Sequence, residues 1–164
     1  MNAWRVGDFF PAAFNCPHEI ERHGALGDGG KWVCGLSRVR DKRDCVVYSF
    51  GVVPSRNVDV YQRIDLIYAG IGYESSFEAE ILRNTQHCQI WGYDYTVKSF
   101  SREIPRESSH RTHFKPYDLG SEDKHGPEDK IPVYTLDTLM KINGSYTYLF
   151  ISDLGSCHVR TRFH

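Results

Sequence analysis

One short apolar run constrains this chain more than any other feature. Asp44-Cys45-Val46-Val47-Tyr48-Ser49-Phe50-Gly51 is continuous in hydrophobic character and stops on glycine. That pattern suits a strand buried on both faces of a parallel sheet rather than a half-solvated one. A second such run, Cys88-Gln89-Ile90-Trp91-Gly92-Tyr93-Asp94, ends in an acid. Between them, Glu74 to Arg83 carries Phe77, Ile81 and Leu82 on one helical stripe. It opens with Ser75-x-x-Glu78, the spacing of a capping box. Arg111 to Tyr117 reads as a third strand, kept from a central position by Pro116. A polar loop from Ser121 to Lys130 follows, then a short helix from Thr135 and a fourth strand over Thr147 to Ile151. Strand, helix and strand in this order predict an α/β domain with a mostly parallel sheet and flanking helices.

The chain has 164 residues, room for one domain and one core. Lys plus Arg number 20 against 21 Asp plus Glu, for a formal net charge of -1. A phosphate-coating nucleic-acid binder needs a concentrated basic excess, so nucleic acid is an improbable partner. No apolar run has the length of a membrane span, and the N-terminus lacks the pattern of a signal peptide. The 5 cysteines have no Cys-x-x-Cys pair, which argues against a structural zinc site. Buried thiols are the expectation, with a Cys16–Cys34 or Cys34–Cys45 disulfide left open. His18 and His23 stand five apart, a spacing that diverges on a helix, so no metal is expected there. Gly30-Lys31 lacks the earlier glycine of a P-loop, and no Gly-x-Ser-x-Gly elbow occurs.

In open α/β sheets, ligands bind beyond the carboxyl ends of the strands. Here Gly51 ends the first strand, Gly70-Ile71-Gly72-Tyr73-Glu74 precedes the helix, and Asp94 ends the second strand, placed for a ribose diol. A pyrophosphate at this helix start would meet the Glu74 carboxylate, and the third glycine position holds Ser75. S-adenosylmethionine, with an ammonium and a sulfonium, suits that acid better than NAD does. An NAD-binding oxidoreductase is therefore the more distant alternative.

Cys16-Pro17-His18-Glu19, Gly27-Asp28-Gly29-Gly30-Lys31-Trp32-Val33-Cys34, Val47 to Gly51, Glu74 to Glu78, Trp91 to Asp94, His113 to Pro116 and Thr135 to Leu139 together resemble the FkbM-related, methyltransferase-like eukaryotic family. The likeness spans residues 9–51 and 71–143. It implies a Rossmann-like class I methyltransferase fold of seven strands, about four of them present, with S-adenosylmethionine as cofactor. It further implies that Ser49, Gly51, Gly72 and Glu74 line the methionine end, Asp94 the ribose, and Asp118 and Leu119 the adenine. Asp28, Gly29, Gly30 and Lys31 would form a loop closing over the pocket. The acceptor and any catalytic base stay unassigned.

The expected organisation is an N-terminal arm and Gly-rich loop over 1–43, a partial methyltransferase-like domain over 44–151, and an atypical tail over 152–164. Two departures from the family pattern stand out. Residues 52–70 interrupt the ligand-contacting turn, where relatives run from the strand straight into the Gly/Glu loop; the segment reads as a translated, unspliced intron. The tail lacks the family's Lys-Ile-Asp-x-Glu-Gly stretch, so the fourth strand is expected to be an exposed edge. Both departures make a non-catalytic fragment the alternative to an active methyltransferase.

Overall fold

The structure, a computed structural model, describes residues 15–26, 29–50, 71 and 73–144, and the backbone of two strands beyond them. Among the described residues, nine strands and two α-helices follow in the order β1 (Ile20–His23), β2 (Lys31–Cys34), β3 (Val46–Phe50), α1 (Ser76–Asn84), β4 (Gln89–Tyr93), β5 (Thr112–Lys115), β6 (Asp118–Leu119), β7 (Val133–Tyr134), α2 (Leu136–Asn143), β8 (Tyr148–Ile151) and β9 (Cys157–Arg160). The main sheet has the order β5-β4-β3-β8-β9. All pairs are parallel except β8 with β9. β1 and β2 form an antiparallel ladder, and β6 and β7 a parallel one. The fold is therefore mixed α/β and Rossmann-like, with parallel strands flanked by helices.

Period-two alternation along β3 decides where the helices pack. Val47 faces one core with Ile90, Phe77, Ile81, Leu82 and the buried Cys45 and Cys88. Tyr48 and Phe50 face the other, with Tyr93 and Leu139 and the half-buried Leu136 and Met140 of α2. The central strand is covered by α1 on one face and by α2 on the other, as its unbroken apolar run requires. Thr135 caps α2 by accepting from Thr138 N, and Gly144 closes it at φ 64°, a left-handed position suited to glycine. Lys115 ends β5, an edge strand, immediately before Pro116, so the proline removes no ladder bond.

Four expectations need correction. The capping box does not form: Ser75 Oγ accepts from Ser101 N at 2.9 Å, and Glu78 turns inward to Ser49. Tertiary partners outcompete the local pairing here. The thiols are not simply buried, because Cys16–Cys34 and Cys45–Cys88 are disulfides. The second was not foreseen, since it depends on β3 and β4 lying side by side. Cys45 and Cys88 each precede the first paired residues, Val46 and Gln89, with Cα atoms 4.5 Å apart. The tail supplies β9, which covers the outer edge of β8 that was expected to stay open. Lastly, β1 gives order to a stretch that looked irregular, and it places His23 on a strand. His23 is buried, with Nδ1 3.3 Å from Glu80 Oε1. No cluster of metal-ligating side chains occurs among the described residues, and no helix there is long and apolar enough to cross a membrane.

Candidate functional site

The sheet's register brings the carboxyl ends of three parallel strands level. Phe50 pairs with Tyr93, and Tyr93 with Lys115. From β3 the chain steps outward to β4 and β5, and then returns to place β8 on the opposite side of β3. The order of strands thus reverses between β3 and β8. Such a reversal opens a crevice beyond the carboxyl ends, because the connections on either side run to opposite faces of the sheet. Ser49 sits on this seam, paired with Gly92 of β4 and Ile151 of β8.

Asp94 leaves β4 at the crevice and is 2% exposed. Its backbone N–H extends the ladder to Lys115 O, and its Oδ1 accepts from Thr96 N and Oγ1 at 2.7 and 2.5 Å. These contacts fix the carboxylate's direction. Asp118, at the start of β6, lies within electrostatic reach of it. Burial chiefly raises the Asp118 pKa, Asp94 adds to the rise, and a hydrogen bond from Leu119 N at 2.8 Å opposes it. Leu119 is half-buried against the cluster of Tyr48, Phe50, Tyr93 and Leu139. Two acids and an apolar wall therefore converge where β4 and β6 meet the crevice.

An aromatic row backs this side. Phe50 and Tyr93 stack at 5.2 Å, Tyr117 and Tyr134 approach at 4.9 Å, and His125 stacks on Tyr134 at 4.6 Å. Burial pushes the Tyr93 hydroxyl's pKa up, against the hydrogen bond it accepts from Asn143 at 2.7 Å. Tyr93 stays neutral and acts as a packed wall. A recess of about 670 Å³ is lined by Tyr73 and by the loop after β4, with Lys98, Phe100 and Arg102. Thr96 belongs to its wall and also bonds Asp94, so recess and acid share a loop.

The remaining expected residues divide. Glu74 is exposed and accepts from Ser76 Oγ at 2.9 Å. Gly29 packs directly on it: a Cβ there would meet the Glu74 carboxylate and Ser76 Oγ, side-chain ends that would have to move aside. Ala25 N also donates to Ser76 Oγ, at 2.9 Å. Gly30 lies against the Arg22 guanidinium, and Lys31 opens β2 opposite His23. Asp28, Gly51 and Gly72, like residues 52–70, lie outside the described residues. The structure thus brings Asp94 to Asp118 and Leu119, and Gly29 to Glu74. It also adds a residue not foreseen as part of the site, Glu78. It is 4% exposed, and Ser49 Oγ donates to its Oε1 at 2.6 Å. Its position three before Ile81 and four before Leu82 put it on the buried stripe, a signal hidden by the capping reading.

A family model described as a methyltransferase domain matches residues 1–147. The chain belongs to that methyltransferase-domain family. No curated protein and no solved structure gives a significant match. The match covers β3, α1, β4 with Asp94 after it, and β6, and ends just before β8, the strand on the far side of the reversal.

Proposed function

We propose that this methyltransferase domain binds S-adenosylmethionine in the crevice at the carboxyl ends of β3 and β4 and transfers its methyl group to an acceptor entering by the Tyr73–Phe100 recess. The observation that carries the reading is Asp94: a buried, direction-fixed carboxylate at the end of the second parallel strand, beside the strand reversal. Its oxygens would accept both hydroxyls of the ribose. Leu119 and its apolar neighbours would face the adenine, with Asp118 beside it as an acceptor when ionised or a donor when protonated. Gly51, Gly72 and Glu74 belong to the methionine end by family likeness, and Asp28, Gly29, Gly30 and Lys31 to a covering loop; Gly29 on Glu74 supports that placement.

When bound, the cofactor supplies a methyl group on a sulfonium, with a neutral thioether as the leaving group. The chain's own part is to hold, orient and shield it from water, which can account for much of the rate through proximity. The FkbM-like likeness belongs to the same proposal. Carboxylates at Glu74 and Glu78, around the first turn of α1, oppose an NAD pyrophosphate there.

Calorimetric titration of the full chain with S-adenosylmethionine and with NAD tests the proposal. The expected result is saturable adenosylmethionine binding weakened about 10- to 100-fold by Asp94→Ala, the scale of lost hydrogen bonds to a charged group. NAD binding without adenosylmethionine binding would overturn it. No detectable binding of either ligand would overturn the proposal in favour of the non-catalytic fragment, which neither binds cofactor nor turns over.

A further inference from the structure

We infer that the Tyr73–Phe100 recess takes a small ring-bearing anion, a carboxylate or a phosphate, as the acceptor; this rests on the reading above of the recess as the acceptor's entry. Its walls come from Tyr73 and the loop from Thr96 to Glu103. Phe100 supplies a rigid floor. Its ring meets Phe114 edge-on at 5.7 Å and occupies space that Gly92 leaves open, where a Cβ would collide with it. Tyr73, 94% exposed, adds a second ring. The loop is pinned at both ends: Thr96 N and Oγ1 donate to Asp94, and Ser101 N donates to Ser75 Oγ at 2.9 Å. The recess is therefore preformed, and its 670 Å³ lies in the range of small-molecule sites.

Charge decides which ring-bearing molecule fits. Lys98 and Arg102 stand on the wall, both exposed, and neither forms an ion pair among the described residues. The acid on the wall, Glu103, is already engaged: its Oε2 accepts from Ser75 N at 2.6 Å and from Ser101 Oγ at 2.9 Å. That contact sets its carboxylate at the start of α1, where the helix dipole favours negative charge. Glu74, next to Tyr73 in sequence, turns instead to Ser76 and Gly29. Two cations against one satisfied acid leave the recess positive in a chain whose formal net charge is -1. A concave, largely apolar wall focuses such a field and raises the local concentration of anions. The rings hold a flat apolar body, and the cations hold its carboxylate or phosphate, which Arg102 can grip by two oxygens at once. A cationic acceptor meets repulsion at the same place.

Calorimetry on the full chain tests this with four probes: benzoate, phenyl phosphate, the neutral benzamide, and inorganic phosphate. At least one ring-bearing anion is expected to bind about tenfold tighter than benzamide and than inorganic phosphate. The tighter of benzoate and phenyl phosphate then identifies the anionic group. In the double variant Lys98→Gln with Arg102→Gln, the preference over benzamide should fall to within about twofold while the thermal melt stays unchanged, since both side chains are exposed. Tyr73→Ser should weaken benzamide and the ring-bearing anions alike. Equal binding of benzamide and the anions would overturn the inference, as would a preference that survives the double variant or ring binding untouched by Tyr73→Ser. Inorganic phosphate bound as tightly as phenyl phosphate would reduce the recess to a charged surface and overturn it too. S-adenosylhomocysteine, titrated in parallel, keeps the two readings apart. If it binds and no ring-bearing anion does, this inference alone falls. If the anions bind as expected and it does not, the recess keeps its ligand class and the methyl-transfer reading falls.

Discussion

Arg111 shows how much one side chain can hold here. Buried at 8% exposure, its Nη1 donates to Thr85 O and Cys88 O at 3.0 and 3.3 Å, and its Nη2 to Leu82 O at 2.6 Å and Ser108 Oγ at 3.2 Å. Burial draws its pKa down, yet an arginine remains charged at neutral pH. A cation at the last carbonyls of α1 also complements the helix dipole. Arg111→Met should lower stability by about 3 kcal/mol, since several buried carbonyls lose their donor together. Urea unfolding checks this, and a midpoint unchanged from the parent chain would contradict it. Glu19 makes a pH-dependent prediction. Hydrogen bonds from Ser37 hold its pKa down at about 2, below the ordinary 4.5. The sign follows from the depression: the stabilisation is present above pH 4.5 and fades as pH falls toward 2. Glu19→Gln should therefore lower the melting temperature at pH 7 and converge with the parent near pH 2. A constant offset between the two curves would show that ionisation plays no part.

At the scale of elements, the strongest fastening outside hydrogen bonding is the Cys45–Cys88 disulfide, which joins β3 to β4 at the ends opposite the crevice. It spans 43 residues of sequence and Cys16–Cys34 spans 18, so a chain-entropy estimate gives about 4 and about 3 kcal/mol respectively. Replacing Cys45 and Cys88 together by alanine should cost more stability than replacing Cys16 and Cys34. Chemical denaturation of the two double variants orders them, and the reverse order would show that local packing outweighs loop closure. These bonds also mark what could be read in advance. β3, α1 and β4 were legible because an apolar run or stripe depends on nearby residues alone. β1 and β9 were not, since each acquires its meaning from a partner strand. Ser75 and Glu78 were read as partners of one another because local spacing allowed it; Ser101 and Ser49 hold them instead.

On the scale of the whole molecule, Asp94 was readable as a strand-end acid from the fold class, whereas Asp118 and Leu119 came from the family likeness alone; the structure places Asp118 within electrostatic reach of Asp94. The Ser49–Glu78 contact was not readable, because it joins a strand to a helix across 29 residues. The same reasoning gives residues 52–70 a definite test. Both flanks of the segment end inside the core: Phe50 is 3% exposed and packs with Tyr93, and Ile71 is 1% exposed. A Cβ added to Gly92 would meet both Ile71 and Phe100, so Ile71 belongs to the α1 side of the sheet, beside the crevice. If the segment is an interruption rather than a working part, the core and the candidate site do not depend on it. A chain joining Gly51 directly to Ile71 should then fold with at least the parent's stability. Loop-closure entropy favours the shorter connection, though only by about 1 kcal/mol because the dependence on length is logarithmic. The larger expected effect is on binding, since the backbone groups of Gly51 and Gly72 would converge on one ligand. We predict that the shortened chain binds S-adenosylmethionine at least as tightly as the parent in calorimetry and melts no lower. Loss of folding, or of binding with the fold intact, would identify 52–70 as a functional insertion in this methyltransferase domain.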